Sequence, residues 1–224
     1  MTAALQGVDV LFLVSASESA DRLEQHRSAV AAAAAAGVRH VVYTSFTGAS
    51  DTATFTLARD HAATERMLRD SGMSWTFLRD NLYMDVLDDF AGPQGVLRGP
   101  AGDGAVAAIA RVDVARVAVT VLLEPAAHAG RIYELSGSQA LTLTQVAQQL
   151  SKFTERPVRY EPESVAAAFE SRRGLGAPDW QVEAWVSTYT AIAAGEMSTV
   201  TDTVERLTGI PPMTFAQFLT RSPE

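Results

Sequence analysis

Cysteine is absent from all 224 residues, which excludes disulfide staples, thiol nucleophiles and Cys-based zinc or iron–sulfur sites. No run of about 20 apolar residues occurs, so no membrane span is read. The start lacks a basic stretch followed by a greasy one, so no signal peptide is read either, and the expected location is the cytoplasm. Positive charge is scarce. Lys+Arg 18 against Asp+Glu 26 leaves a net charge of −8, and Arg156, Arg159, Arg172 and Arg173 are too dispersed for a nucleic-acid stripe. The four histidines, His26, His40, His61 and His128, include no pair with ligand spacing, so no metal is expected. A G-x-S-x-G elbow for an acyl nucleophile is missing as well.

What is present is 47% apolar residues on a chain long enough to bury a sizeable core. Val8 to Val14 is a continuous apolar run, which predicts a strand covered on both faces, as in a parallel sheet. A helix follows over roughly Ser19 to Ala36. Ala31 through Ala36 lets neighbouring backbones approach closely, and Gly37 stops the helix. Val38 to Tyr43 reads as the next strand, completing a β-α-β unit. The unit repeats with a helix over Arg59 to Ser71, Gly72, and a strand over Ser74 to Leu78 ending at Arg79-Asp80-Asn81. A helix over Asp113 to Leu123 and a strand over Arg131 to Leu135 come next.

Beyond residue 141 the texture becomes helical. A helix over Thr142 to Phe153, capped by Thr142 or Thr144, precedes a short strand at Val158-Arg159-Tyr160. Helical segments then read at Glu163–Arg172, Pro178–Ala194, Asp202–Leu207 and Thr214–Leu219. Trp180, Val182, Trp185, Val186 and Tyr189 crowd one helix, either as core packing or as the lining of a hydrophobic substrate cleft. The fold expected is α/β, a parallel sheet over 1–140 with a small, mostly helical substrate region over 141–224 packed on it as a lid.

In open parallel sheets, ligands sit beyond the carboxyl ends of strands. That rule selects Ser15-Ala16-Ser17, Thr44-Ser45-Phe46-Thr47 and Asn81-Leu82-Tyr83, which are equally able to serve as ordinary strand-end turns. Tyr83 could stack on a planar ligand, whereas Tyr43 reads as sheet packing. His61 and Glu65, four apart, share a helical face. They form either a surface pair or a site at which His61 orients a ribose or carbonyl. Glu65, Asp88 and Asp89 otherwise read as solvated carboxylates, and Gly99 to Gly104 as a turn-rich loop.

Taken in order, several segments carry a resemblance: Leu5-Gln6-Gly7-Val8-Asp9, Ala35-Ala36-Gly37-Val38, Tyr43-Thr44-Ser45, His61-x-x-x-Glu65-x-x-Leu68 with Ser71-Gly72, and Thr76-Phe77-Leu78-Arg79 with Asn81 and Tyr83. Ala101-Gly102-Asp103-Gly104, Arg111-x-Asp113, Tyr133-Glu134-Leu135 and Leu141-Thr142-Leu143-Thr144 continue it. Together they resemble the NmrA-like branch of the atypical short-chain dehydrogenase/reductases, and in particular its bacterial quinone-reducing members. The resemblance implies a Rossmann-like sheet that binds NAD(P)H. Ser15, Ala16 and Ser17 would border the adenosine or its ribose, Ser45 and Phe46 the nicotinamide, and Asn81, Leu82 and Tyr83 the nicotinamide and substrate entrance. His61 falls where many relatives place a lysine that holds the nicotinamide ribose. Tyr83 and His61 are thus the implied catalytic residues.

The family opens with a strand, a G-x-x-G-x-x-G turn, a helix and two more strands, about 70 residues that do not precede residue 5 here. The sheet is therefore expected to lack its first strands. Its exposed edge would be covered by missing sequence or by a second chain in a homo-oligomer. The tyrosine–x–x–x–lysine pair of the wider superfamily is not visible; Phe55 and Arg59 imitate only its spacing. The function implied is hydride transfer to a quinone or related aromatic carbonyl compound, including a tailoring step of aromatic polyketide assembly that leads to net hydroxylation. A non-enzymatic dinucleotide sensor and a scaffold subunit without cofactor are the alternatives.

Overall fold

The structure, a computed structural model, describes residues 2–153 and 156–221. Its centre is a parallel sheet built from β1 (Val10–Leu13), β2 (His40–Phe46) and β3 (Ser74–Asp80). The first crossover is α1 (Arg22–Ala36) and the second is α2 (Thr56–Asp70). Gly37 ends α1 at φ 81°, a left-handed turn that glycine adopts without a Cβ penalty. The expected helix start at Ser19 moves to Arg22, and β2 runs three residues past Tyr43 to Phe46.

The chain then leaves the sheet. It forms α3 (Leu87–Ala91), β4 (Val96–Gly99) and β5 (Ala105–Val106), and returns through α4 (Arg111–Leu123) to β6 (Arg131–Glu134). The sheet order is β1-β2-β3-β6, all parallel, with the outer edge of β1 unpaired among the described residues. Strand alternation sorts the core. Tyr43 and Phe77 pack with Val30, Ala33 and Leu68 beneath α1 and α2, while Val42 and Leu78 pack with Val114, Val117 and Val121 of α4. Each fully buried side chain of this size contributes roughly 1.5–3 kcal/mol. Strand β1, expected to be covered on both faces, is only half-buried at every position, because it lies at the edge.

The last third comprises β7 (Leu141–Thr142), α5 (Leu143–Phe153), β8 (Arg159–Pro162), α6 (Val165–Arg173), α7 (Asp179–Ala193), α8 (Thr203–Thr208) and α9 (Phe215–Thr220). Thr142, not Thr144, caps α5 by accepting the Gln145 backbone N–H at 3.2 Å. Two small sheets tie this part to the excursion before α4: β4 pairs with β8 in parallel, and β5 with β7 antiparallel. Their shared core includes Leu87, Leu97, Leu143, Leu150, Tyr189 and Phe215. Gly99 is needed there, since a Cβ on it would lie 2.2 Å from Tyr189 Cδ1. Among the described residues, no helix is long and apolar enough to cross a membrane.

Candidate functional site

A cavity of about 570 Å³ opens beyond the carboxyl ends of β1, β2 and β3. Its floor comes from Ser15, Ala16 and Ser17 after β1, Thr44 and Phe46 on β2, and Asp80 to Tyr83 after β3. Helices α1, α2 and α4 add Arg22, His61 and Arg111. The post-β1 turn is held from both sides. Ser15 N–H donates to Thr44 Oγ1 at 2.8 Å and Ala16 N–H to His26 Nε2 at 2.9 Å, while Arg22 Nε donates to the Ala16 carbonyl at 2.9 Å.

These bonds determine the histidine tautomers. His26 Nε2 accepts, so its proton is on Nδ1, which donates to Thr64 Oγ1 at 2.7 Å. The Thr64 hydroxyl passes on to the Asp60 carbonyl at 2.9 Å. Arg22 can only donate, so His61 Nε2 accepts from Nη2 at 3.0 Å, and His61 Nδ1–H donates to the Tyr43 hydroxyl at 2.9 Å. Burial, reinforced by Arg22, pulls His26 down to about 4 and holds His61 well below its ordinary value. Both rings are neutral and both nitrogens of each are occupied. A surface pairing of His61 with Glu65 does not form, and His61 has no free nitrogen to act as an acid or base.

Glu65 was expected to be solvated; it is 1% exposed. Its Oε1 accepts from Arg79 Nε at 2.8 Å and the Ser45 hydroxyl at 2.6 Å, and its Oε2 from Arg79 at 2.9 Å and Arg69 at 3.0 Å. The reason is the pleat. Ser45 and Arg79 lie on the α2 side of their strands, so Ser45 does not line the cavity, whereas Thr44 and Phe46 do. Donating to Glu65 raises the Arg79 guanidinium above its usual value.

At the end of β3, Asp80 is 5% exposed and accepts a short hydrogen bond from the Tyr83 hydroxyl. Burial pushes Asp80 up to about 8. Burial also raises the Tyr83 phenol, and Asp80 adds to the shift. Arg111 lies over the Tyr83 ring, 5.0 Å from its centroid. Asn81 reaches the cavity wall, but its amide is committed to the backbone. Nδ2 donates to the Met197 carbonyl at 3.0 Å, and Oδ1 accepts from Leu82 N–H at 2.8 Å.

A second cavity of about 610 Å³ adjoins the first, with Glu18, Phe55, Leu82 and Val86 as common walls. Beyond them it is lined by the aromatic Phe90, Trp185 and Tyr189 and by the charged Asp89, Arg98 and Arg172. The aromatic stripe of α7 therefore divides. Val182 and Val186 pack against Ala168 of α6, while Trp185 faces the cleft and its Nε1 donates to Glu18 at 3.2 Å.

Of the residues selected from sequence, Ser15, Ala16, Ser17, Thr44, Phe46, His61, Asn81, Leu82 and Tyr83 come together at one cavity, and Ser45 and Thr47 do not. Arg22, His26, Asp80 and Arg111 went unselected. The only signal for Asp80 was its place at a strand end. Arg22, on an alanine-rich helix, carried none.

A parallel sheet covered by helices on both faces, with its cavity beyond the strand ends, defines a doubly wound α/β protein of the dinucleotide-binding kind. The NmrA-like family profile matches residues 1–183, and the chain belongs to that family. Quinone oxidoreductase 2 of Escherichia coli is 39% identical over 220 residues, 97% of this chain and 76% of that protein. An NAD(P)H azoreductase of Xenophilus azovorans is 33% identical over 221 residues, covering 97% and 77%. The crystal structure of the Escherichia coli NADPH-dependent quinone oxidoreductase complexed with NADPH superposes with a TM-score of 0.88 at 38% identity, covering 98% of this chain and 78% of that one.

Proposed function

We propose that the chain is an NAD(P)H-dependent reductase of quinones or related aromatic carbonyl compounds. The observation that carries this reading is the pair of adjoining cavities with Phe55 and Leu82 as shared walls. A dinucleotide over the strand ends and a planar acceptor against Trp185 and Tyr189 would meet at that boundary, in the proximity that hydride transfer requires. Two relatives support it: the Escherichia coli quinone oxidoreductase, which was crystallised with NADPH, and the Xenophilus azovorans NAD(P)H azoreductase.

The residues fit the nicotinamide half of such a cofactor. Phe12, Phe46, Leu82 and the Tyr83 ring offer apolar surfaces, and Ser15 to Ser17 offer backbone and hydroxyl groups at the strand end. Among the described residues, no glycine-rich turn faces the cavity to cradle a pyrophosphate. When bound, the reduced nicotinamide supplies the hydride. The chain positions and dries the reacting pair. Ser15, Ala16, Ser17, Phe46, Leu82 and Tyr83 border the cofactor, and neutral His61 acts as a positioning residue by holding Arg22 beneath the post-β1 turn. A cysteine-free chain drawing on reduced dinucleotide suits the cytoplasm.

The test is Ala16→Trp, which places an indole over the cofactor floor. Titration of NADPH fluorescence is expected to show at least a tenfold loss of affinity, about 1.4 kcal/mol. Wild-type affinity in a folded variant would rule out this placement.

A further inference from the structure

Among the described residues, three carboxyl side chains are almost fully buried, and two are neutralised by arginine. Glu65 is gripped by Arg79 and Arg69, and Asp113 by Arg116 at 2.6 Å together with the Met213 N–H at 2.9 Å. Asp80 has no ion pair among the described residues. Its only side-chain hydrogen-bond partner there is the Tyr83 phenol, and both residues line the strand-end cavity. A desolvated carboxyl without a cation keeps its proton.

The imidazole, guanidinium and carboxyl groups nearest to it are committed. Tyr43 on β2 accepts from His61 of α2, which is neutral. Arg22 of α1 is turned to Asp60, His61 and the Ala16 carbonyl. Arg111 of α4 covers the Tyr83 ring, and Asp85 accepts the Arg111 backbone N–H at 3.1 Å. Among the titratable groups of the cavity, the Asp80–Tyr83 pair therefore holds a proton that no ion pair fixes, beside the unionised hydroxyls of Ser15, Ser17 and Thr44.

We propose that Asp80 and Tyr83 form a proton relay that supplies the proton accompanying hydride when a quinone is reduced. The proposal rests on the reductase reading. NAD(P)H gives two electrons and a hydrogen nucleus as hydride, and the quinone becomes a hydroquinone monoanion. The Tyr83 O–H bond breaks as its proton goes to the substrate oxyanion. The Asp80 O–H bond breaks as its proton refills Tyr83, and water reprotonates the Asp80 carboxylate. Arg111 over the ring favours the transient phenolate. Asp80 loses its proton as pH rises through about 8, so the relay is loaded at neutral pH and empties above it.

Two measurements test this. Infrared difference spectra of ligand-free wild type minus Asp80→Asn should contain a protonated-carboxyl band around pH 6 that titrates away on alkalinisation. In NADPH–quinone assays, Asp80→Asn should lower kcat by about tenfold or more and remove the alkaline limb. Tyr83→Phe, which keeps the ring, should remove the same limb, and thermal melts of both variants confirm folding. A carboxylate already ionised around pH 6, or folded variants with the wild-type pH profile, overturns the relay. Absence of quinone reduction in wild type overturns the reductase reading instead, and the infrared band then decides by itself whether Asp80 stores a proton.

Discussion

Glu65 on α2 and Asp80 at the end of β3 are buried to 1% and 5% exposure, yet their surroundings are opposite. Glu65 receives four hydrogen bonds, three of them from guanidinium groups. Asp80 receives one from a side chain, a phenol. The difference arises from one step along the strand. Alternation sends Phe77 and Arg79 to the α1–α2 face and Leu78 to the α4 face, and Asp80, one residue on, opens on the cavity. The ion cluster on one side fastens α2 to the sheet. The carboxyl on the other side has no cation and lines the cavity, where the proposed relay would place it in reach of a ligand. Burial alone therefore does not say what a charge is for; its partners do.

Breaking the clamp should give the largest effect. Glu65→Gln leaves Arg79 with only Glu134 at 3.1 Å as an ionic partner, and is expected to cost about 3 kcal/mol in urea unfolding. NADPH affinity should change by less than about twofold, since Glu65 does not line the cavity.

Asp80→Asn should act in the opposite direction. Burial pushes the folded-state carboxyl up to about 8, far above the ordinary aspartate value of about 4. Between those values the native state holds more protons than the unfolded chain, so this group's contribution to stability falls as pH rises through the window. The variant should lack that decline and be more stable than wild type by about 1–2 kcal/mol at alkaline pH, read from denaturant midpoints. A decline of equal slope in the variant would assign it to another group.

The smallest effect belongs to a third acid, the exposed Glu18, which accepts from Gln181 at 3.3 Å and Trp185 at 3.2 Å across the cleft. Glu18→Ala should leave stability unchanged and raise KM for a quinone by about threefold through a loosened Trp185, with kcat retained. A fall in kcat with KM unchanged would mean that Glu18 acts on the chemistry instead.

The α/β order was legible because glycine stops at Gly37 and Gly72 separate apolar strands from helices of compatible length. The small sheets were not. Val96–Gly99 is short, lies among turn residues, and finds its partner Arg159–Pro162 only after a long excursion. At the site, the strand-end rule selected most of the cavity floor but could not separate Thr44 and Phe46 from Ser45, because the choice depends on which face of β2 meets α2. Glu65 read as solvated because a charged helix position gives no sign that its neighbours will bring guanidinium groups inward. Arg22 was hidden for the same reason, and its role exists only once α1, α2 and the post-β1 turn are assembled.

In the proposed reaction a reduced dinucleotide over the strand ends passes hydride to an aromatic carbonyl acceptor in the adjoining cleft. The direct measurement mixes the purified chain with NADPH and a simple benzoquinone and quantifies both products. Saturable oxidation with one hydroquinone formed per dinucleotide consumed is the expected result. Dinucleotide binding without quinone-dependent oxidation would contradict it.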